Sequence, residues 1–172
     1  LHAVNNMLQR REYTKRDFDS IAREIVERGP ERGLFIFNPH KRMFIGQYDA
    51  NVVIVALEQQ GLHVDWHNRQ HGIESLQLRI ESSSSTTTTI LTDHQQHQQN
   101  DVLGIIVNVQ ERFCGAKSRH WLSVRKFPSG CWWLLDSREP EPIPFDSVTA
   151  LIAQLSAWID QNAEVLVVSN PT

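Results

Sequence analysis

His120 and Asp136 lie at opposite ends of the stretch RHWLSVRKFPSGCWWLLDS, residues 119–137, and side chains of these two types can do acid–base chemistry together. A carboxylate beside an imidazole holds one ring tautomer and stabilises the imidazolium, which is what a general base serving a nucleophile requires. The stretch also says how they would meet. Leu122, Val124 and Phe127 lie in a run of β-formers, Pro128-Ser129-Gly130 has turn chemistry, and Cys131 to Leu135 returns. A hairpin about that turn brings the backbones of His120 and Asp136 side by side. On spacing alone, a His and an Asp at hairpin ends are more often surface polar residues than a working pair, so the rest of the chain has to decide.

A nucleophile would complete such a pair, and the two cysteines, Cys114 and Cys131, are poor candidates for it. Cys131 begins the strand that Asp136 closes, which sets the two side chains on opposite faces and roughly 16 Å apart along the chain. Cys114 lies in the loop FCGAKSR. Neither starts a helix, where unpaired N–H groups and the dipole would favour a thiolate. Cys131 is therefore expected to be a buried or edge thiol and Cys114 a loop residue. Two cysteines are also too few for a disulfide scaffold, so a reducing cytosolic or nuclear setting is expected. A bridge between them would argue for an oxidising compartment, and nothing else in the sequence supports one.

The elements around the pair follow from periodicity. Leu1, Val4 and Leu8, with Ala3 and Met7, recur at helical spacing, and His2, Asn5 and Asn6 are set into that short helix. Thr14 to Asp17 resembles a capping box with Asp in place of Glu or Gln. The helix it starts carries Phe18, Ile21, Ala22, Ile25 and Val26 on one face and stops at Gly29-Pro30. After a loop over 31–47, a third helix capped by Asp49 presents Val52, Val53, Ala56 and Leu57 and ends at Gly61. The second half changes to strands, at Leu62–Trp66, Leu76–Ile80, Val102–Val109, the hairpin, and Val165–Val168. A Pro-spaced loop (EPEPIP) precedes a helix with Val148, Leu151, Ile152, Leu155 and Ile159 inward. Helices first and an antiparallel sheet afterwards describe an α+β fold, with an N-terminal helical layer on a mainly antiparallel sheet.

With 172 residues, 40% hydrophobic and 22% charged, the chain is expected to form one domain over 1–172 with a real core. Residues 82–100 interrupt it. SSSSTTTT followed by HQQHQQN cannot bury enough apolar area to offset its ordering entropy, so a disordered insertion is expected there. Asp93, His94 and His97 within it are read as compositional drift, not a metal site, and no metal or other cofactor is expected. Phosphorylation of Ser82 to Thr89 is chemically possible, but a tolerated loop is the simpler reading. A net charge of −3 argues against nucleic acid as the main partner. No apolar run approaches the roughly 20 residues of a membrane span, and no signal peptide is visible.

Four stretches in order, LHAVNNMLQ at the start, GQYDANV at 46–52, RHW at 119–121 and WWLLDS at 132–137, resemble the Josephin family of deubiquitinating cysteine proteases, and most of all its short, single-domain members. The resemblance implies a papain-like fold, with a Cys at the start of the first helix and a sheet that carries the His and an Asn or Asp. His120 matches the family's catalytic His and Asp136 its third triad member, in the Asp form. By the same register the nucleophile lies two positions before Leu1, and a Gln assisting the oxyanion lies further upstream. The chain, which opens without Met and inside a helical pattern, is expected to be the catalytic domain of a longer protein, truncated at its N-terminus and itself inactive.

The implied reaction is hydrolysis of isopeptide bonds between ubiquitin and lysine, by a monomer whose partners are ubiquitin and its conjugates. The alternative is a non-catalytic ubiquitin-binding module that kept the fold. His2 matches a His of the family's first helix, though a buried His bonding a carbonyl is the simpler expectation. Asn5 and Asn6 brace the active-site wall or satisfy loop backbone, and Trp121 shields the site or fills the core. Asp49 is explained by capping. Trp66, Trp132, Trp133 and Trp158 are core or interface aromatics. No residue is assigned to substrate binding.

Overall fold

A computed structural model describes residues 1–28, 41–42, 47–68, 72–76, 101–113 and 116–171. Helix α1 (His2–Leu8) turns Ala3, Val4 and Met7 inward and closes at Gln9, whose backbone adopts φ 55° and bonds back to Asn5 and Asn6 carbonyls. Helix α2 (Lys15–Arg28) starts at the expected box. Thr14 N–H and Oγ1 donate to Asp17 Oδ2 at 2.7 and 2.6 Å, and Asp17 N–H returns to Thr14 Oγ1 at 3.4 Å. Those bonds from Thr14 hold the Asp17 carboxyl below its usual range. Two short strands that periodicity did not reveal, β1 (Lys41–Arg42) and β2 (Gln47–Tyr48), pair antiparallel. Helix α3 (Ala50–Glu58) is capped by Asp49, whose side chain accepts from Val52 N–H. Its buried face meets Phe18, Ile21 and Ala22 of α2 in one core.

The sheet has six strands, β3 (His63–Trp66), β4 (Val102–Phe113), β5 (Ala116–Lys126), β6 (Trp132–Leu135), β7 (Ile143–Pro144) and β8 (Glu164–Ser169). Their order is β3-β8-β4-β5-β6-β7, and each pairing is antiparallel. Alternation along the strands gives the sheet two buried faces. Ile106, Leu166 and Val168 join the core of α1 to α3, while Ile105, Val107, Val109, Leu122, Val124 and Val165 pack with Leu151 and Leu155 of helix α4 (Val148–Asp160). The fold is thus α+β, as expected, with α4 as a second cover.

Three expectations need correction. Leu76 ends a 3-10 turn (Ile73–Leu76) and does not open a strand; residues 77–80 lie outside the described residues. The Pro-spaced loop contains β7, an edge strand, where Pro144 needs no ladder donor. The central strand reaches Phe113, so β4 and β5 form a second and longer hairpin. The 82–100 tract, with Asp93, His94 and His97, lies outside the described residues. No helix among the described residues is long and apolar enough to cross a membrane.

Gly104 of β4 fixes where α1 sits. A Cβ there would stand 2.6 Å from the Val124 carbonyl oxygen and 2.7 Å from Cε and Sδ of Met7. The thioether can bend away, but a paired strand carbonyl cannot. Gly104→Ala is therefore expected to cost about 1–3 kcal/mol by overpacking, read as a lower urea midpoint. An unchanged midpoint would show that α1 is not seated there.

Candidate active site

The hairpin that carries the two candidate residues is set by its turn. Gly130 N–H donates to Phe127 O at 2.8 Å, Phe127 N–H to Cys131 O at 3.0 Å, and Gly130 sits at φ 82°. This is a three-residue loop, with Pro128 in the position that wants φ near −65° and glycine where a left-handed residue is needed. Pairing then runs from Lys126↔Trp132 to Ser123↔Leu135. Carried one step further, that register sets Asp136 opposite Leu122. His120 and Asp136 are therefore diagonal neighbours on one face, not side by side, because the hairpin centres on Ser129 and Asp136 lies nearer to it. Diagonal neighbours are within reach of longer side chains, and these two use that reach. His120 Nε2 lies 2.6 Å from Asp136 Oδ1, with the side chains only 18% and 12% exposed. Nε2 is committed to the carboxylate, and Nδ1 makes no hydrogen bond among the described residues.

Several contacts hold Asp136 in place. The carbonyl of Leu135, the residue before it, accepts from Ser123 Oγ at 3.3 Å and from Asn6 Nδ2 at 3.2 Å. Asp136 Oδ1 also accepts from Arg138 N–H at 3.0 Å, and Arg138 Nε stands 3.7 Å away. The Arg138 guanidinium forms a two-pronged pair with the Glu111 carboxylate, one prong being Nη1–Oε2 at 2.6 Å and the other Nη2–Oε1. That hydrogen bond holds the Glu111 carboxyl below its usual range and raises Arg138. Neither residue was foreseen. They are charged side chains far apart in sequence, and nothing local marks them as partners.

Alternation along β5 sets His120 with Leu122 and Val124, on the face α4 covers, and Trp121 with the face the N-terminal helices cover. Helix α1 and the His120–Asp136 pair therefore share only the sheet's edge. That edge is open among the described residues, because β6 ends at Leu135 and leaves β5 paired beyond Ser123 on its β4 side alone. The Asn6–Leu135 bond brings α1 to that place.

The other expected site residues divide. Asn5 braces a loop, donating to Tyr13 O at 2.8 Å and accepting from Tyr13 N–H at 3.0 Å, whereas Asn6 binds the strand beside Asp136. His2 is exposed, against the expectation of a buried His. It projects from the first turn of α1 and lines a cavity of about 520 Å³ with Leu1, Asn5 and Asn6. Trp121 is a packed core residue whose Nε1 donates to Tyr48 O at 2.9 Å. Trp132 is buried and Trp66 is 51% exposed; Trp133 meets Phe127 edge-on and Trp158 borders the α4 core. Cys131 is exposed beside the turn, not buried, and Cys114 lies outside the described residues.

A His–Asp pair on an antiparallel sheet, with a short helix docked at the sheet's edge, is consistent with a papain-like α+β fold. The Josephin family model matches residues 1–169, and the chain belongs to the Josephin family. A Josephin-like protein of Arabidopsis thaliana is 30% identical over 98% of this chain and 42% of its own length. Josephin-2 of Homo sapiens is 27% identical over 98% of this chain and 79% of its own, and a Josephin-like protein of Drosophila melanogaster 24% over 98% and 67%. The chain spans less than half the length of the Arabidopsis relative. At family level, membership supports a deubiquitinase-type function.

Proposed function

We propose that this chain is the catalytic domain of a ubiquitin-directed cysteine protease that works through a Cys–His–Asp triad. His120 is the general base and acid, Asp136 orients its ring, and the nucleophile is a cysteine two positions before Leu1. The observation that carries this reading is the 2.6 Å contact of His120 Nε2 with Asp136 Oδ1, which leaves Nδ1 to face a thiol. A thiol at the opening of α1 meets unpaired backbone N–H groups and the positive dipole end, which together with an imidazolium favour the thiolate.

In that reaction the thiolate sulfur bonds to the carbonyl carbon of the terminal glycine of ubiquitin, and N–H donors hold the oxyanion. The carbon–nitrogen bond then breaks as the His120 imidazolium gives its proton to the leaving lysine amine. Water, deprotonated by His120, adds to the thioester carbon, and the thiolate leaves as the free ubiquitin carboxylate forms. Ubiquitin and its conjugates are the partners, in a cytosolic or nuclear setting.

Ubiquitin bearing a C-terminal electrophile tests the proposal. The parent protein is expected to add one ubiquitin at the cysteine before Leu1, and the chain starting at Leu1 is expected to add none. Labelling at Cys114 or Cys131 would overturn the assignment. Absence of a cysteine at that upstream position in the parent gene would favour the binding-module alternative.

A further inference from the structure

We infer that Arg138, anchored by Glu111, is a positioning residue that keeps Asp136 aimed at His120. This deepens the proposed function and rests on it. Asp136 needs such help because β6 ends at Leu135 and residues 137–142 run exposed over the surface. Within that turn the backbone bond is Glu139 N–H to Asp136 O at 3.2 Å. The strut crosses the sheet. Glu111 lies on β4 opposite Ser118 of β5, so the Arg138 side chain spans from beyond β6, past His120, to β4. Its two-pronged pair with Glu111 restrains both the distance and the plane of the guanidinium, which a single point charge does not. With that anchor set, Arg138 N–H and His120 Nε2 converge on one oxygen, Asp136 Oδ1, at 3.0 and 2.6 Å, and Arg138 Nε lies 3.7 Å from the same oxygen.

Arg138 thus does two things. It ties down the residue whose backbone N–H fixes the carboxylate rotamer, and it sets a positive charge between two carboxylates facing His120. A strut that only stabilised the turn would do the first and be indifferent to the sign of its charge.

The test compares Arg138→Gln, Arg138→Lys and the charge-swapped double variant Glu111→Arg/Arg138→Glu. One readout is the proton NMR signal of the His120–Asp136 hydrogen bond, followed in the chain starting at Leu1. The others are urea midpoints of that chain and kcat and KM of the parent protein. Arg138→Gln is expected to lose the low-field proton signal and to lower kcat by roughly ten- to a hundredfold, the scale on which groups orienting a functional residue act, with KM within about twofold. Arg138→Lys recovers part of both. The swap recovers the urea midpoint but neither the signal nor kcat, since the carboxylate it introduces would then face Asp136.

Retention of signal and kcat in Arg138→Gln would overturn the inference, and so would a swap that restores all readouts. The NMR signal needs no turnover, so it judges the strut even if the parent fails to hydrolyse ubiquitin conjugates, an outcome that would sink the proposed function alone. Should Arg138→Gln fold poorly, the Lys and swapped variants carry the same decision.

Discussion

His120→Ala in the parent protein is expected to lower turnover by about 10⁴-fold or more while shifting unfolding free energy by no more than about 1 kcal/mol. The asymmetry follows from the contacts. In the proposed triad the imidazole moves both protons, so its loss removes activation of the thiol and protonation of the leaving amine together. Its loss does not orphan Asp136, whose Oδ1 keeps the Arg138 N–H at 3.0 Å and the guanidinium beside it. The neighbouring core residues Leu122 and Val124 are untouched. Kinetics on a ubiquitin conjugate alongside a urea titration check both halves. Near-normal cleavage would remove His120 from the chemistry, and a collapsed midpoint would make it a structural residue.

The second large effect separates orientation from charge. Asp136→Ala leaves Nε2–H of His120 without an acceptor and frees the ring to rotate, with an expected loss on the order of 10²- to 10³-fold in kcat. Asp136→Asn keeps a carbonyl oxygen where Oδ1 stands, able to accept from both Nε2–H and Arg138 N–H. Its loss is expected to stay under about tenfold, because a held ring still meets the thiol. Equal losses in the two variants would mean that the negative charge, not the aim of the ring, is what Asp136 supplies.

What the sequence shows of this fold depends on how local the determining interaction is. Helices α1 to α3 follow from apolar spacing, and the starts of α2 and α3 follow from Thr14, Asp17 and Asp49, whose caps involve residues three apart. The turn after Phe127 is legible because proline and glycine meet its dihedral demands directly. His120 and Asp136 stand out by type and by matching a family motif, yet their diagonal placement depends on register, which turns on counting from Ser129. The Glu111–Arg138 strut was not legible, since two charges far apart in sequence become partners only when β4, β5 and β6 lie side by side. Strand β7 was hidden by Pro144, which reads as a loop except at a sheet edge. His2 carries no signal of its exposure, because the helix it opens is too short for its polar face to be read.

The proposed triad requires an upstream thiol within reach of the sheet edge beside His120. Register places α1 and the His120–Asp136 pair on opposite faces that meet at the edge past Ser123, and the proposed triad requires the chain before Leu1 to come around that edge. A crystal structure of the parent protein, including those residues, measures the separation of the upstream cysteine Sγ from His120 Nδ1 directly. A value within about 4 Å, hydrogen-bond reach for a sulfur and an imidazole, is the predicted result. A thiol left on the helical face behind Trp121, several ångströms out of reach of the ring, would contradict it.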